Sequence, residues 1–421
     1  MIKEPQIPLF DLIMSLSTAM DLVSTAVVNH HKQVAYIALS IGAELGLPRE
    51  QQNQLVLAGA LHDIGAFSLK DRLDTLQFEI ENPHEHTELG YLLLETFEPL
   101  SNVAALVRFH HIPWSEGAGA EFEGKPVAID SHLLHLADRV AVLVNKRQEV
   151  LGQVKRVCER VVERSGAMFV PEQVDAFMSL ATKEYFWLDV VSPSIGSILS
   201  KRVRLATIEL DMEGLLGLAR LFSQIIDFRS RFTATHSSGV AASAESLARF
   251  VGFSERECQM MKIAGHLHDL GKLAVPAEIL EKPAKLTEEE FNLIKSHTFY
   301  TYSILETISD LDVINAWASF HHERLDGKGY PFHHKGDDLS LGSRIMAVAD
   351  VFTAITEDRP YRKGMTSDRA LEVLQRMADN SALDSSIISL LRLHFDEVSS
   401  FRKAAQSAAV EEYQQFLLPR G

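Results

Sequence analysis

The sequence predicts an all-α protein built from two helical domains in tandem, and three observations carry that prediction. Runs of alternating β-branched and aromatic residues bounded by turn residues are almost absent. Helix entries are frequent: Thr287-Glu-Glu-Glu290 has the spacing of a capping box, and Thr366-Ser-Asp-Arg-Ala-Leu marks another start. The third observation is a duplication. The stretch from His30 to Asp63 recurs without a gap as His236 to Asp269.

Taken in order, residues 1 to about 29 read as one helix, with Leu9, Leu12, Ile13, Leu16, Met20, Val23 and Val27 at three- and four-residue steps. The first copy follows. His30-His-Lys-Gln-Val34 lies over His236-Ser-Ser-Gly-Val240, and Leu61-His-Asp-Ile-Gly65 over Leu267-His-Asp-Leu-Gly271. The match continues: His86 lies over His297, the pair His110-His111 over His321-His322 at the same interval, and Asp138 over Asp350 one residue out of step. Ser192-Pro-Ser-Ile-Gly196 breaks the helical pattern and places the join between about Val190 and Glu213, so the domains are expected at 1–205 and 206–421. Leu215 to Ile226 then reads as an amphipathic core helix leading into His236.

A chain of 421 residues with 46% hydrophobic and 23% charged residues is an ordinary globular protein. No run near eighteen uncharged apolar residues is present, and Met1-Ile-Lys-Glu-Pro lacks the pattern of a signal peptide; a cytoplasmic protein is expected. The net charge of −16 disfavours DNA and anionic membranes as partners. Cys158 and Cys258, far apart and outside any Cys-x-x-Cys pattern, read as helix-packing thiols.

Chemistry concentrates in the second copy. Imidazole and carboxylate donors drawn from several helices suit a pair of divalent metal ions, with Asp269 able to bridge them. One ion is assigned to His236, His268, Asp269 and Asp350, and the other to Asp269, His297, His321 and His322. Such a pair activates a shared water, which makes phosphodiester hydrolysis the favoured reaction, with Lys272 on the scissile phosphate. An oxygen-activating di-iron site is disfavoured because no Glu-x-x-His pair stands among these ligands. In His321-His-Glu-Arg-Leu-Asp-Gly-Lys-Gly-Tyr-Pro331, glycines permit close ligand approach and Tyr330 offers a stacking face. Arg359 and Arg362 are spaced as phosphate contacts near Asp350.

These two stretches resemble the defining motifs of the HD-GYP phosphodiesterases, a branch of the HD metal-dependent phosphohydrolases. The resemblance covers roughly Glu213 to Phe401, and residues of about 30 to 150 resemble an HD domain. An HD domain followed by an HD-GYP domain is similar to the Vibrio phosphodiesterases acting on 3′3′-cyclic GMP-AMP. The resemblance implies an all-helical fold, iron or manganese as the two ions, and hydrolysis of 3′,5′-linked cyclic dinucleotides to a linear dinucleotide in bacterial signalling. It places substrate contacts on Lys272, Gly329, Tyr330, Arg359 and Arg362.

Members with a third metal carry a glutamate where this chain has Phe232, so two ions are expected; Ser230 replaces a frequent aspartate. The first copy keeps His30, His62, Asp63, His86, His110, His111 and Asp138. Yet Ala66 replaces the lysine, Ile112-Pro-Trp-Ser-Glu replaces the Gly-Tyr-Pro stretch, and Val150 stands at the place of Arg362 while Arg147 keeps that of Arg359. A degenerate, regulatory or scaffolding domain is expected there, its metal binding left open. Cyclic GMP-AMP is the favoured substrate with cyclic di-GMP next, and a homodimer is compatible with the reading. Alternatives are a non-catalytic cyclic dinucleotide receptor and an HD hydrolase of other nucleotides.

Overall fold

The computed structural model describes residues 7–21, 28–80, 84–203, 209–228, 235–280, 282, 284–308, 310–358 and 363–417. The chain forms two compact units, Pro8–Ile208 and a second built on Glu209–Gly421. Helices dominate both.

The first unit runs through α1 (Leu9–Asp21), α2 (His30–Glu44), α3 (Arg49–Leu61), α4 (Leu69–Asp74), α5 (His84–Glu95), α6 (Ser101–Arg108) and α7 (Ile129–Leu143). It closes with α8 to α11, at Val154–Val162, Pro171–Ala181, Glu184–Val190 and Ile195–Arg202. α1 is shorter than the sequence pattern implies: it opens at Leu9, directly after Pro8, whose missing N–H suits a helix start. Residues 1–6 and 22–27, including Val23 and Val27, lie outside the described residues, and Asn29 before α2 takes a left-handed φ of 60°.

α2 is the axis of this unit. It packs on α3 and α7, and its residues are buried nearly all round, Val34, Tyr36, Ile37 and Ile41 among them. A small hairpin pairs Glu121–Phe122 with Lys125–Pro126, strands too short to leave an alternating signature. Ser192-Pro-Ser194 separates α10 from α11, as the break in pattern implies, and 204–208 lie outside the described residues.

The second unit repeats the plan. α12 (Met212–Asp227) leads to α13 (His236–Val251), which packs on α14 (Glu255–Leu267), α18 (Leu341–Thr356) and α21 (Phe395–Leu417). Between them come α15 (Ala277–Leu280), α16 (Glu288–Glu306), α17 (Asp312–Ser319), α19 (Ser367–Asp379) and α20 (Ser385–Leu393). Ser254 with Glu257 and Thr287 with Glu290 form reciprocal capping boxes, whereas Thr366 precedes α19 without a side-chain cap bond.

The same glycines set the helix crossings in both units. A Cβ on Gly59 would strike Ala35 of α2, and one on Gly265 would strike Ala241 of α13. Cys258 is buried and Cys158 half-buried, both free thiols as expected. Among the described residues no helix is long and apolar enough to cross a membrane.

Candidate metal centres

In the second unit, His236, His268, Asp269, His321 and His322 sit at or just beyond helix ends, while His297 and Asp350 lie in the middle of α16 and α18. His236 opens α13 and holds its Nε2 3.2 Å from Asp350 Oδ1, carried by α18. His268 caps α14, and its Nδ1 faces the Gly265 carbonyl at 2.8 Å. His297 on α16 and His321 beyond α17 repeat the device, with Nδ1 at 2.6 Å from the carbonyls of Ile294 and Ala318. A carbonyl can only accept, so in all three rings Nδ1 carries the proton and Nε2 is left as a donor atom for a metal.

Those free nitrogens converge. His268 Nε2 lies 3.2 Å from Asp269 Oδ2, while His297 Nε2 lies 3.4 Å from Asp269 Oδ1 and 3.3 Å from His321 Nε2. His322 Nδ1 is 3.8 Å from Asp350 Oδ2. The ligand atoms of His236, His268 and Asp350 lie within 4.8 Å of one another, as do those of His297, His321 and His322. Asp269 stands between the two groups with one oxygen toward each. Lys272 Nζ donates to its Oδ2.

Electrostatics prepare the site for cations. Burial raises the carboxyls of Asp269 and Asp350, but neighbouring imidazoles, and Lys272 for Asp269, outweigh it and hold both well below the carboxylate range. Burial lowers His297 to about 3 and His321 well below its ordinary value, so these rings are neutral near pH 7, the form that binds metal. His236 goes the other way. Burial lowers it, but Glu357 and Asp350 together raise it to about 10, a proton between carboxylates that a divalent ion displaces.

The Gly-Tyr-Pro turn is built against the same centre. Tyr330 N donates to the His322 carbonyl at 3.2 Å, and its ring lies 4.9 Å from the His322 ring. A Cβ on Gly329 would come within 2.5 Å of Glu323 Cα, and Gly327 takes φ +73°. The buried Glu323 carboxylate accepts from Phe332 N at 2.7 Å and His333 N at 3.1 Å, which pins the turn. Gly271 lets the His-Asp turn lie on α16, because a Cβ there would run into the His297 carbonyl. Arg359, Arg362, Ser230 and Phe232 lie outside the described residues.

Sequence reasoning missed several supports. Glu357 holds His236 Nδ1 at 3.2 Å and accepts from Gln406 at 3.2 Å. Asp227 accepts from Ser237 N and Oγ at 3.2 and 3.0 Å, and burial raises it to about 7. It stands nine residues before His236, as Asp21 does before His30, so carrying the duplication upstream finds it. No such register marks Glu357.

The first unit assembles the same set. His30 Nε2 lies 3.3 Å from Asp138 Oδ1, and His62 Nε2 3.3 Å from Asp63 Oδ2. His86 Nε2 is 3.5 Å from Asp63 Oδ1 and His110 Nε2 4.0 Å. The His111 ring lies 3.9 Å from the His110 ring between centres, tilted by 42°. His62 and His110 again turn Nδ1 to the carbonyls three residues back, Gly59 at 2.9 Å and Val107 at 2.7 Å.

Paired helical units, each gathering histidines and aspartates to one point, define a tandem HD-domain protein. Family models described as HD domain match residues 27–143 and 220–387. The chain belongs to the tandem HD-domain phosphodiesterases. It is 31% identical over 388 residues to 3′3′-cGAMP-specific phosphodiesterase 1 of Vibrio cholerae, covering 89% of each chain. A cyclic di-GMP phosphodiesterase response regulator of Xanthomonas campestris is 40% identical over 159 residues, 37% of this chain and 42% of its own. A solved cyclic GMP-AMP-specific phosphodiesterase of Vibrio cholerae matches with TM-score 0.63 and 25% identity, covering 99% of both chains.

Proposed function

We propose that the C-terminal centre hydrolyses 3′,5′-linked cyclic dinucleotides to the linear dinucleotide, with 3′3′-cyclic GMP-AMP the preferred substrate and cyclic di-GMP the second. One observation carries the reading: two ligand groups with Asp269 between them, Lys272 on its Oδ2 and the His322 side chain 31% exposed. Full-length similarity to a cyclic GMP-AMP phosphodiesterase supports the substrate order, since the cyclic di-GMP relative matches 37% of this chain.

On this reading His236, His268, Asp269 and Asp350 hold one divalent ion and Asp269, His297, His321 and His322 the other; iron or manganese suits mixed imidazole and carboxylate donors. When bound, the pair supplies a hydrolytic water near neutral pH and neutralises charge on phosphate. The protein's own groups do the rest. Lys272 turns its ammonium from Asp269 to a non-bridging oxygen of the scissile phosphate and holds the charge that builds there. Gly329 lets the ligand approach the backbone, and Tyr330 presents a ring for a base to stack on. Arg359 and Arg362 contact the phosphates. The enzyme acts in the cytoplasm, where such messengers are made.

The test is turnover of cyclic GMP-AMP, cyclic di-GMP and cyclic di-AMP by protein purified without oxygen and loaded with Fe(II) or Mn(II), with products separated by chromatography. Cyclic GMP-AMP should be cleaved fastest, and Lys272→Ala should slow it by roughly 10²–10³-fold with metal retained. Tight binding of a dinucleotide without cleavage would leave a receptor and sink the reading.

A further inference from the structure

We propose that the N-terminal domain carries its own pair of divalent metal ions, held as a closed structural centre and not as a second hydrolytic site. This inference does not rest on the phosphodiesterase reading of the other domain. It rests on where polar atoms are left without partners.

Seven buried side-chain atoms of this centre have no hydrogen-bond partner: Nε2 of His30, His62, His86, His110 and His111, with Oδ1 of Asp63 and Asp138. They point at one another. In the C-terminal centre His268 Nε2 is in that condition as well. Each buried, unpaired polar atom costs its full desolvation, and seven in one chamber are out of scale with the marginal stability of a domain. Metal coordination removes the deficit at every one of them. The atoms also divide as a pair of ions requires: His30, His62 and Asp63 lie within 4.8 Å of one another, as do Asp63, His86, His110 and His111, with Asp63 common to both.

The chain itself occupies one oxygen of each carboxylate. Thr75 Oγ1 donates to Asp63 Oδ2 at 2.8 Å, where Lys272 stands on Asp269 in the other domain. The guanidinium of Arg139, 1% exposed, donates twice to Asp138 Oδ2 and once each to the carbonyls of Thr75 and Gln77. A cation fixed by that many hydrogen bonds cannot swing to a substrate.

Access is closed in the same way. None of the seven ligands is more than 7% exposed. Cavities of about 400, 260 and 390 Å³ reach His86, His111 and His30 respectively, but none is lined by ligands of both groups. A phosphodiester must meet both ions at once for hydrolysis.

The experiment empties the C-terminal centre and counts what remains. Full-length protein carrying Asp269→Ala and His297→Ala is loaded with Mn(II), dialysed exhaustively against EDTA and analysed by mass spectrometry for metal. About two ions per chain should remain, and adding His110→Ala should remove them. Metal near zero in the double variant, with its helical circular dichroism intact, overturns the proposal. Because His110→Ala can prevent folding, a second measurement leaves the N-terminal domain unaltered: metal released from the double variant is followed with a chromogenic chelator during heating. Release that coincides with loss of helix is expected; complete release well below that transition overturns the closed centre.

Discussion

At the C-terminal centre the side chains of His322 and Lys272 are 31% and 20% exposed, and Asp269 Oδ2 accepts from that partly exposed lysine. The N-terminal centre has the same ligand types at the same intervals, yet its most exposed ligand reaches 7%, and one oxygen of Asp63 and of Asp138 is held by Thr75 and by a buried, fully committed Arg139. Binding a metal pair and working on a substrate are therefore separable properties of one helical frame. The first needs helices that aim imidazoles at one point. The second needs an opening, a mobile cation and a turn such as Gly329-Tyr330.

The strongest way to break this comparison is to remove the shared aspartate from each domain. Asp269→Ala should lower dinucleotide turnover by more than about 10³-fold, since it deletes the carboxylate that faces both groups. Asp63→Ala should be read first as lost stability: uncoupling a buried cluster costs roughly 3–5 kcal/mol. For a unit of this size that corresponds to a fall of about 6–20 °C in Tm. Rates measured at 20 °C and melts followed by circular dichroism separate the two. If Asp63→Ala, still folded at 20 °C, loses as much turnover as Asp269→Ala, the division of labour is wrong.

Glu357 sharpens the comparison at a smaller scale. Its carboxylate orients His236 through Nδ1 and is one of the groups that raise that ring to about 10. Glu357→Gln keeps the shape and removes the charge, so metal affinity at the C-terminal centre should drop by about 10–100-fold. Titration with Mn(II), watched by its electron paramagnetic resonance signal, measures this directly. The EDTA-resistant metal of the N-terminal domain should be untouched, because the corresponding residue there is Asn145.

Much of this architecture is legible in the amino-acid sequence. The intervals between histidines survive in both copies because a ligand fixed on a helix tolerates no shift of register, and Gly65 and Gly271 mark where a loop must lie on the next helix. Partners chosen by tertiary approach leave no such trace. Glu357 meets His236 only because α18 ends beside the start of α13. Arg139 follows Asp138 in sequence, but only the fold turns its guanidinium back onto that neighbour and onto the Thr75 and Gln77 carbonyls. The periodicity overstates the reach of α1 at its start, because Ile7 and Pro8 precede the helix in extended backbone, while Val23 and Val27 lie outside the described residues. The hairpin at Glu121–Pro126 is invisible to pattern because two-residue strands carry no period.

The smallest expected effect distinguishes the domains by acid. His266, two residues from the metal ligand His268, is 5% exposed with Nδ1 3.1 Å from Ser223 Oγ; burial, with Arg220 and Lys262 nearby, lowers it to about 3. Its counterpart in the first copy is Ala60. An unfolded histidine titrates near about 6.5, so between that pH and about 3 the proton favours the unfolded chain. The stabilisation is complete above about 6.5 and declines as pH falls, by at most about 1.4 kcal/mol per unit. His266→Leu should remove that dependence from the C-terminal domain: between pH 6.5 and 5.5 the wild-type transition should fall by about 2–4 °C more than the variant's. The N-terminal transition should move alike in both proteins, because burial and Arg139 hold its own neutral histidine, His135, at about 3 in each. Parallel pH profiles for the C-terminal transition would show that His266 is not the group that makes this domain acid-sensitive.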